Sequence, residues 1–254
     1  MNFTEGNITK KIVTFSVPLF LGSLLQQAYS ISDSIIVGNL VGPSALAAIG
    51  ATMPVMQVSI ALVLGITVGV AVVVAQSFGA CDTTSVRQTI LTSYTFFMAF
   101  SIMLTVVGVI FSRYFLILIK VPREILDDAT QYLQITFLGT IPKVGYDVSN
   151  SIYRGIGDSS IPLTILVLSI LLNIALDFLL ILVFDLGIKG TAWATVIAQG
   201  ISFIASFIIF QVKYPQLKLR VTLQELKYNL SEGKEGNYEI NIKEYEDKFV
   251  EVMD

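Results

Sequence analysis

From Ser34 to Cys81 the chain carries no Asp, Glu, Lys or Arg. Crossing the hydrocarbon core of a bilayer as a helix takes about 20 predominantly apolar residues, and this run exceeds that length twice over. Further uncharged stretches extend from Ile12 to Ser32, Gln88 to Ser112, Ser159 to Leu176 and Gly190 to Val212. Only 14% of the 254 residues are charged, against roughly a quarter in soluble domains. Mean hydropathy is +0.75. Lipid is the solvent for which this sequence is written.

In lipid every backbone N–H and C=O needs a partner inside the structure, which leaves helices or closed barrels. The runs are far longer than the roughly 9–11 residues of a barrel strand and do not alternate strictly. The expected fold is therefore all-α, a polytopic transmembrane bundle. Helices are predicted near residues 10–37, 45–77, 87–113, 125–150, 162–184 and 189–211. Breakers separate them: Gly42-Pro43, Gly79 with Asp82, Pro122, the Gly155-Gly157-Asp158 turn before Pro162, and Gly187. Residues 1–212 form the expected six-helix lobe. The Lys10-Lys11 pair before an apolar run has the look of a signal peptide, but the run is too long for one and more spans follow, so a retained helix is expected.

The net charge of −3 hides a division. Residues 1–212 hold nine Lys/Arg and ten Asp/Glu, whereas residues 213–254 hold seven and nine. The tail opens on a basic stretch, passes through Ser231-Glu232-Gly233-Lys234-Glu235-Gly236 and ends in a segment where Ile242, Tyr245, Phe249 and Val252 would stripe a short acidic helix. A charged cytoplasmic tail is expected there. With the N-terminus inside, the inner loops carry Lys10, Lys11, Arg87, Arg154, Lys213, Lys218 and Arg220, and the outer ones Arg113, Lys120, Arg123 and Lys189. That bias favours both termini in the cytoplasm and a multi-pass protein of the cell membrane. A short interfacial stretch is expected around residues 113–123.

Several function classes drop out. The chain has no His and a single cysteine, Cys81, so it offers no disulfide and no zinc-type cluster. No nucleophile–base arrangement stands out, and an enzyme is not expected. No basic footprint for nucleic acid exists. No cofactor is expected.

The informative residues are polar ones at membrane depth. An aspartate at a helix centre costs about 2.5–3.5 kcal/mol on insertion scales, so it faces protein or water. Asp33, Asp147 and Asp177 qualify, with Lys143 as the one base. Gln26, Tyr29, Ser30 and Asp33 share one helical face. Tyr132, Thr136, Thr140, Lys143 and Asp147 form a second stripe, Ser169, Asn173 and Asp177 a third, and Thr191, Thr195 and Gln199 a fourth. Four such faces can converge on a hydrated path, with Tyr29, Gln26, Tyr132, Lys143 and Asp147 as substrate-path candidates. Ser and Thr in membrane helices are more often packing contacts, and Lys143 and Asp147, one turn apart, can simply neutralise each other. Asp33 and Asp177 have no base one turn away. A carboxyl in low dielectric can take up and release a proton. With neutral oxygens beside it, it can instead hold Na+, a hard cation suited to carboxylate, amide and hydroxyl oxygens as calcium is. Asp33, Asn173, Asp177 and Thr195 supply that set, so the ion such a site would take is Na+ or H+. Pro18 lies inside the first span and should kink it; Pro54 and Pro142 offer the same in the second and fourth.

These residues also carry a family pattern. Pro18, Ser32-Asp33-Ser34, Val37-Gly38-Asn39-Leu40-Val41-Gly42 and Ala45-Leu46-Ala47-Ala48-Ile49-Gly50 resemble the first-helix region of the multidrug and toxic compound extrusion (MATE) family. Tyr153-Arg154-Gly155-Ile156-Gly157-Asp158-Ser159-Ser160-Ile161-Pro162 resembles its link between fourth and fifth helices. Asn173-Ile174-Ala175-Leu176-Asp177 and Gly187-Ile188-Lys189-Gly190-Thr191-Ala192-Trp193-Ala194-Thr195 resemble its fifth and sixth. The resemblance spans about residues 8–212. It implies one lobe of a twelve-helix, cation-coupled antiporter that exports amphipathic, often cationic compounds by alternating access. It also implies a cation site at Asp33, Asn173, Asp177 and Thr195, with Tyr29 and Tyr132 alongside, and bending at Pro18.

Two departures stand out. Asp147 occupies a position where the family pattern has asparagine. The chain also has six spans where the family has twelve, and the path of such transporters lies between two repeats. A second copy, a separate second-half subunit, or a truncated or orphan lobe without transport are the alternatives. A lipid-linked glycan flippase-like exporter is a further one, disfavoured because Lys143 is the single base at depth. Membrane lipids and a small amphipathic substrate are the expected partners.

Overall fold

The computed structural model describes residues 8–217. Among them are seven α-helices: α1 (Ile8–Leu40), α2 (Pro43–Gly79), α3 (Thr83–Leu118), α4 (Arg123–Leu138), α5 (Thr140–Gly155), α6 (Ser160–Phe178) and α7 (Ile188–Lys213). A π-helical turn, Leu179–Val183, extends α6, and no strand occurs among the described residues. The predicted stripe at Ile242–Val252 lies outside the described residues.

The breakers act where their chemistry demands. Gly42, at φ 118°, turns the chain ahead of α2, and Pro43 opens that helix where its missing N–H costs nothing. Asp82 caps α3 by accepting the Ser85 N–H at 2.9 Å. Those hydrogen bonds from Ser85 hold the Asp82 carboxyl below the usual carboxylate range. Gly187, at φ 53°, admits the chain to α7. Pro18 and Pro54 lie within helices that run on without interruption.

One expectation needs correction. The predicted fourth span, 125–150, is two helices, α4 and α5, which gives seven helices among the described residues. Gly139, at φ −76° and ψ −1°, lies at the edge of the right-handed helical region, and Pro142 has no N–H to offer the Leu138 carbonyl. The Thr105 hydroxyl of α3 donates to the Phe137 carbonyl at 3.0 Å beside the break. A Cβ on Gly139 would fall on the Val196 side chain of α7. Residues 113–118 of the stretch expected at the interface belong to the end of α3, which reaches Leu118.

Among the described residues four stretches are long and apolar enough to cross a membrane: α2, α3, α6 with its π turn, and α7. The 33-residue α1 is long enough but carries amides and serines through its second half. The helices α4 and α5 have 16 residues each and reach that length only as a continuous pair. Large apolar side chains point outward, Ile110 at 67% exposure and Val212 at 76% among them. Such a surface is inverted for water and suited to lipid. This is a polytopic membrane bundle.

The interior has two storeys, and the Gly139 break falls between them. One cluster joins Val74 of α2, Ile90 and Phe97 of α3, Val148 and Ile152 of α5 and Phe210 of α7. The other joins Val37 of α1, Ile49 of α2, Leu116 of α3, Leu133 and Phe137 of α4 and Ile188 of α7. Helix α1 packs chiefly on α6 and α2, and its contact with α6 sets up the site.

Candidate cation and substrate site

On α6, Asn173 and Asp177 stand one turn apart on the face turned toward α1 and α7, and both are buried. Asp177 is completely enclosed, at 0% exposure. Opposite them α1 presents Tyr29 and Asp33, again one turn apart. The carboxyl groups of Asp33 and Asp177 lie within hydrogen-bonding reach of each other. A hydrogen bond between two carboxyl groups requires a proton on one of them. Without it, a cation must offset their repulsion.

Asn173 ties the three helices together. Its neighbours orient the amide so that the nitrogen donates to Tyr29 Oη at 2.8 Å and to Asp177 Oδ2 at 3.0 Å, while the oxygen accepts from Thr195 Oγ1 at 3.2 Å. Thr195 reaches the cluster from α7, where its hydroxyl also lies 3.1 Å from the Thr191 carbonyl. Tyr132 of α4 completes the surroundings, close enough to both acids to feel their charge. The structure thus brings together Asp33, Asn173, Asp177, Thr195, Tyr29 and Tyr132.

Two atoms test whether an ion fits. Asp33 Oδ1 and Asp177 Oδ1 are buried with no hydrogen-bond partner among the described residues. A buried acceptor without a donor is costly, and a proton or a hard cation is what two such oxygens can hold. Asn173 turns its nitrogen toward Asp177, so in this arrangement it serves the carboxylate as a donor. It would have to turn over to offer its oxygen to Na+.

The remaining predicted residues lie elsewhere. Gln26 is exposed on α1, its carbonyl accepting from Ser30 Oγ at 3.1 Å. The Tyr132-to-Asp147 stripe divides at Gly139. Its α4 end joins the acids, whereas Lys143 and Asp147 on α5 pair with each other at 3.4 Å. Asp147 therefore has its own base.

Some features escaped the sequence. The π turn begins two residues after Asp177, a widening of the helix that often accompanies functional sites. Asp158 in the α5–α6 link accepts from Lys213 Nζ at 2.8 Å and Tyr214 Oη at 2.7 Å, and its other oxygen takes the Ser160 N–H at 3.1 Å. Burial pushes the Asp158 carboxyl up, but the bonds from Lys213 and Tyr214 outweigh it and hold the group below the usual carboxylate range. The Gly-rich sequence around Asp158 signalled a turn, not its partner.

The MatE family profile matches residues 18–179, well over half the chain. The chain belongs to the MatE family. Its proteins are transporters and not enzymes. This MatE chain is 33% identical over 203 residues to the "Probable multidrug resistance protein YpnP" of Bacillus subtilis (strain 168), a match covering 80% of this chain and 46% of that protein. It is 27% identical to the "Multidrug export protein MepA" of Staphylococcus haemolyticus (strain JCSC1435), over 86% of this chain and 48% of MepA. Among solved structures it resembles a MATE protein in a bent conformation, with a TM-score of 0.78 and 28% identity over 87% of this chain and 49% of that one. The straight conformation matches with a TM-score of 0.75, over 87% and 48%. The MatE chain thus spans about half the length of the relatives it matches.

Proposed function

We propose that residues 1–212 form one lobe of a cation-coupled MATE antiporter that exports amphipathic, often cationic compounds by alternating access. Asp33, Asn173, Asp177 and Thr195 hold the coupling proton or Na+, with α4 and α5 counted together as the fourth of six spans. Both termini are cytoplasmic in this scheme, and the protein resides in the cell membrane. The observation that carries it is the meeting of Asp33 and Asp177, each with a buried, unpartnered oxygen. An ion arriving there removes their repulsion, and its departure restores it. Pro18 gives α1, which bears Asp33, a place to bend in response. Tyr29, Gln26, Tyr132, Lys143 and Asp147 line the substrate path.

A path between repeats needs a second lobe, from a second copy, a separate subunit or a longer chain. Because the relatives are about twice as long as the matched stretch, an orphan lobe without transport is the rival reading. A glycan-lipid exporter fits less well, since the single base at depth already faces Asp147.

The test is export of a fluorescent lipophilic cation from vesicles reconstituted with the chain, driven by an imposed pH or sodium gradient. Gradient-dependent export that disappears in Asp33→Asn and in Asp177→Asn is expected. Export unchanged in both discards the site, and no export from well-folded protein favours the orphan lobe.

A further inference from the structure

Helix α5 has two unlike faces. Val144, Val148 and Ile152 are buried in the core, and Lys143, Asp147, Asn150 and Arg154 follow one another along a second side, each partly open. Only the first two belonged to the expected stripe. Lys143 lies near the middle of the α4–α5 path, where an ammonium without a counter-charge is costly.

The Lys143–Asp147 pair is loosely made. Its 3.4 Å separation exceeds the roughly 2.7–2.9 Å of a charge-assisted hydrogen bond, and Lys preceding Asp by one turn is the weaker order on a helix. The side chains are 30% and 25% exposed, so both ends are accessible. Lys143 uses one of its three donors on Asp147. One turn further along, Asn150 Oδ1 is buried with no hydrogen-bond partner among the described residues. The accessible part of this wall therefore offers a cation and an anion in sequence, with no net charge between them.

We propose that the Lys143–Asp147 pair determines substrate charge, and that this wall prefers amphipathic molecules bearing an amine and an acid together. The inference rests on the transport reading above and names the substrate class within it. An incoming acid takes donors on Lys143, the accompanying ammonium takes Asp147, and the weak internal pair is exchanged for two intermolecular ones. A plain cation attracted by Asp147 is repelled by Lys143, and a plain anion meets the converse.

The experiment measures binding of Nε-dansyl-lysine, a zwitterion at about pH 6, against its methyl ester (at that pH a cation) and its Nα-acetyl derivative (anion only). Fluorescence polarisation is read on the full chain in phosphatidylcholine nanodiscs, with empty discs subtracted. The zwitterion should bind about fivefold more tightly than either relative, the scale of a partly exposed ion pair. The neutral pair Lys143→Met with Asp147→Asn should flatten the three, and the reversed pair Lys143→Asp with Asp147→Lys, which keeps the charges balanced, should restore the preference. Asp127→Asn, which removes an exposed carboxylate paired with Arg113 outside both sites, should leave it intact. Equal binding of the three probes, binding of none, or a preference that survives the neutral pair overturns the proposal. Failure of gradient-driven export alongside a retained zwitterion preference removes the coupled-transport reading alone.

Discussion

Asn173 donates to Asp177 within α6 while the same amide nitrogen reaches Tyr29 of α1. One side chain therefore links the enclosed acid to the helix that bears the other acid, and it does so with both amide hydrogens.

Loss of that amide should change ion binding without removing either carboxyl. Asn173→Leu takes from the charged acceptor a hydrogen bond of about 1.5–3 kcal/mol that favours the ion-free site, so the half-saturating proton concentration should fall roughly 10- to 100-fold. Thr195→Val, which removes a neutral contact, should shift it less. Ion dependence of export in reconstituted vesicles checks both.

The break between α4 and α5 depends on a contact that only glycine permits. Gly139→Ala places a methyl on Val196 and should destabilise the bundle by about 1–3 kcal/mol. Val196→Ala in the same chain should recover much of that loss, as read by thermal unfolding in detergent.

Asp158 should act as a clamp between the α5–α6 link and the end of α7. Asp158→Ala removes the acceptor of Lys213, Tyr214 and Ser160 and should cost about 1–3 kcal/mol, with Tyr214→Phe costing less. The folded-state carboxyl titrates below its ordinary value. Its stabilisation is thus complete above the unfolded value of about 3.9 and is lost as pH falls through the lower folded one. The stability gap between wild type and Asp158→Ala should be constant near neutrality and close below about pH 4.

Pro18→Ala restores a backbone hydrogen bond inside α1. Export should slow while the half-saturating ion concentration changes little, because the proline lies four turns from Asp33 along α1. An unchanged export rate would remove the hinge role.

Much of the framework was legible in the sequence because its causes are local. Uncharged runs set the solvent, and Gly42-Pro43, Asp82, Pro122 and Gly187 set helix ends through φ preferences and missing or offered hydrogen bonds. The division of the fourth span was not, since Gly139 and Pro142 interrupt a helix only in company with Thr105 and Val196, contributed by α3 and α7. Periodicity placed Tyr132 and Asp147 on one stripe, and the break sent them to different neighbours.

By itself the sequence determined that this chain lives in a membrane as helices and that Asp33 and Asp177 need partners there, because hydropathy and desolvation depend on the residue and its immediate run. The tertiary structure alone decided that the two acids partner each other through Asn173 and that Asp158 holds Lys213. Helical period fixes which residues share a face, but the direction in which a face points is set by packing against the other helices.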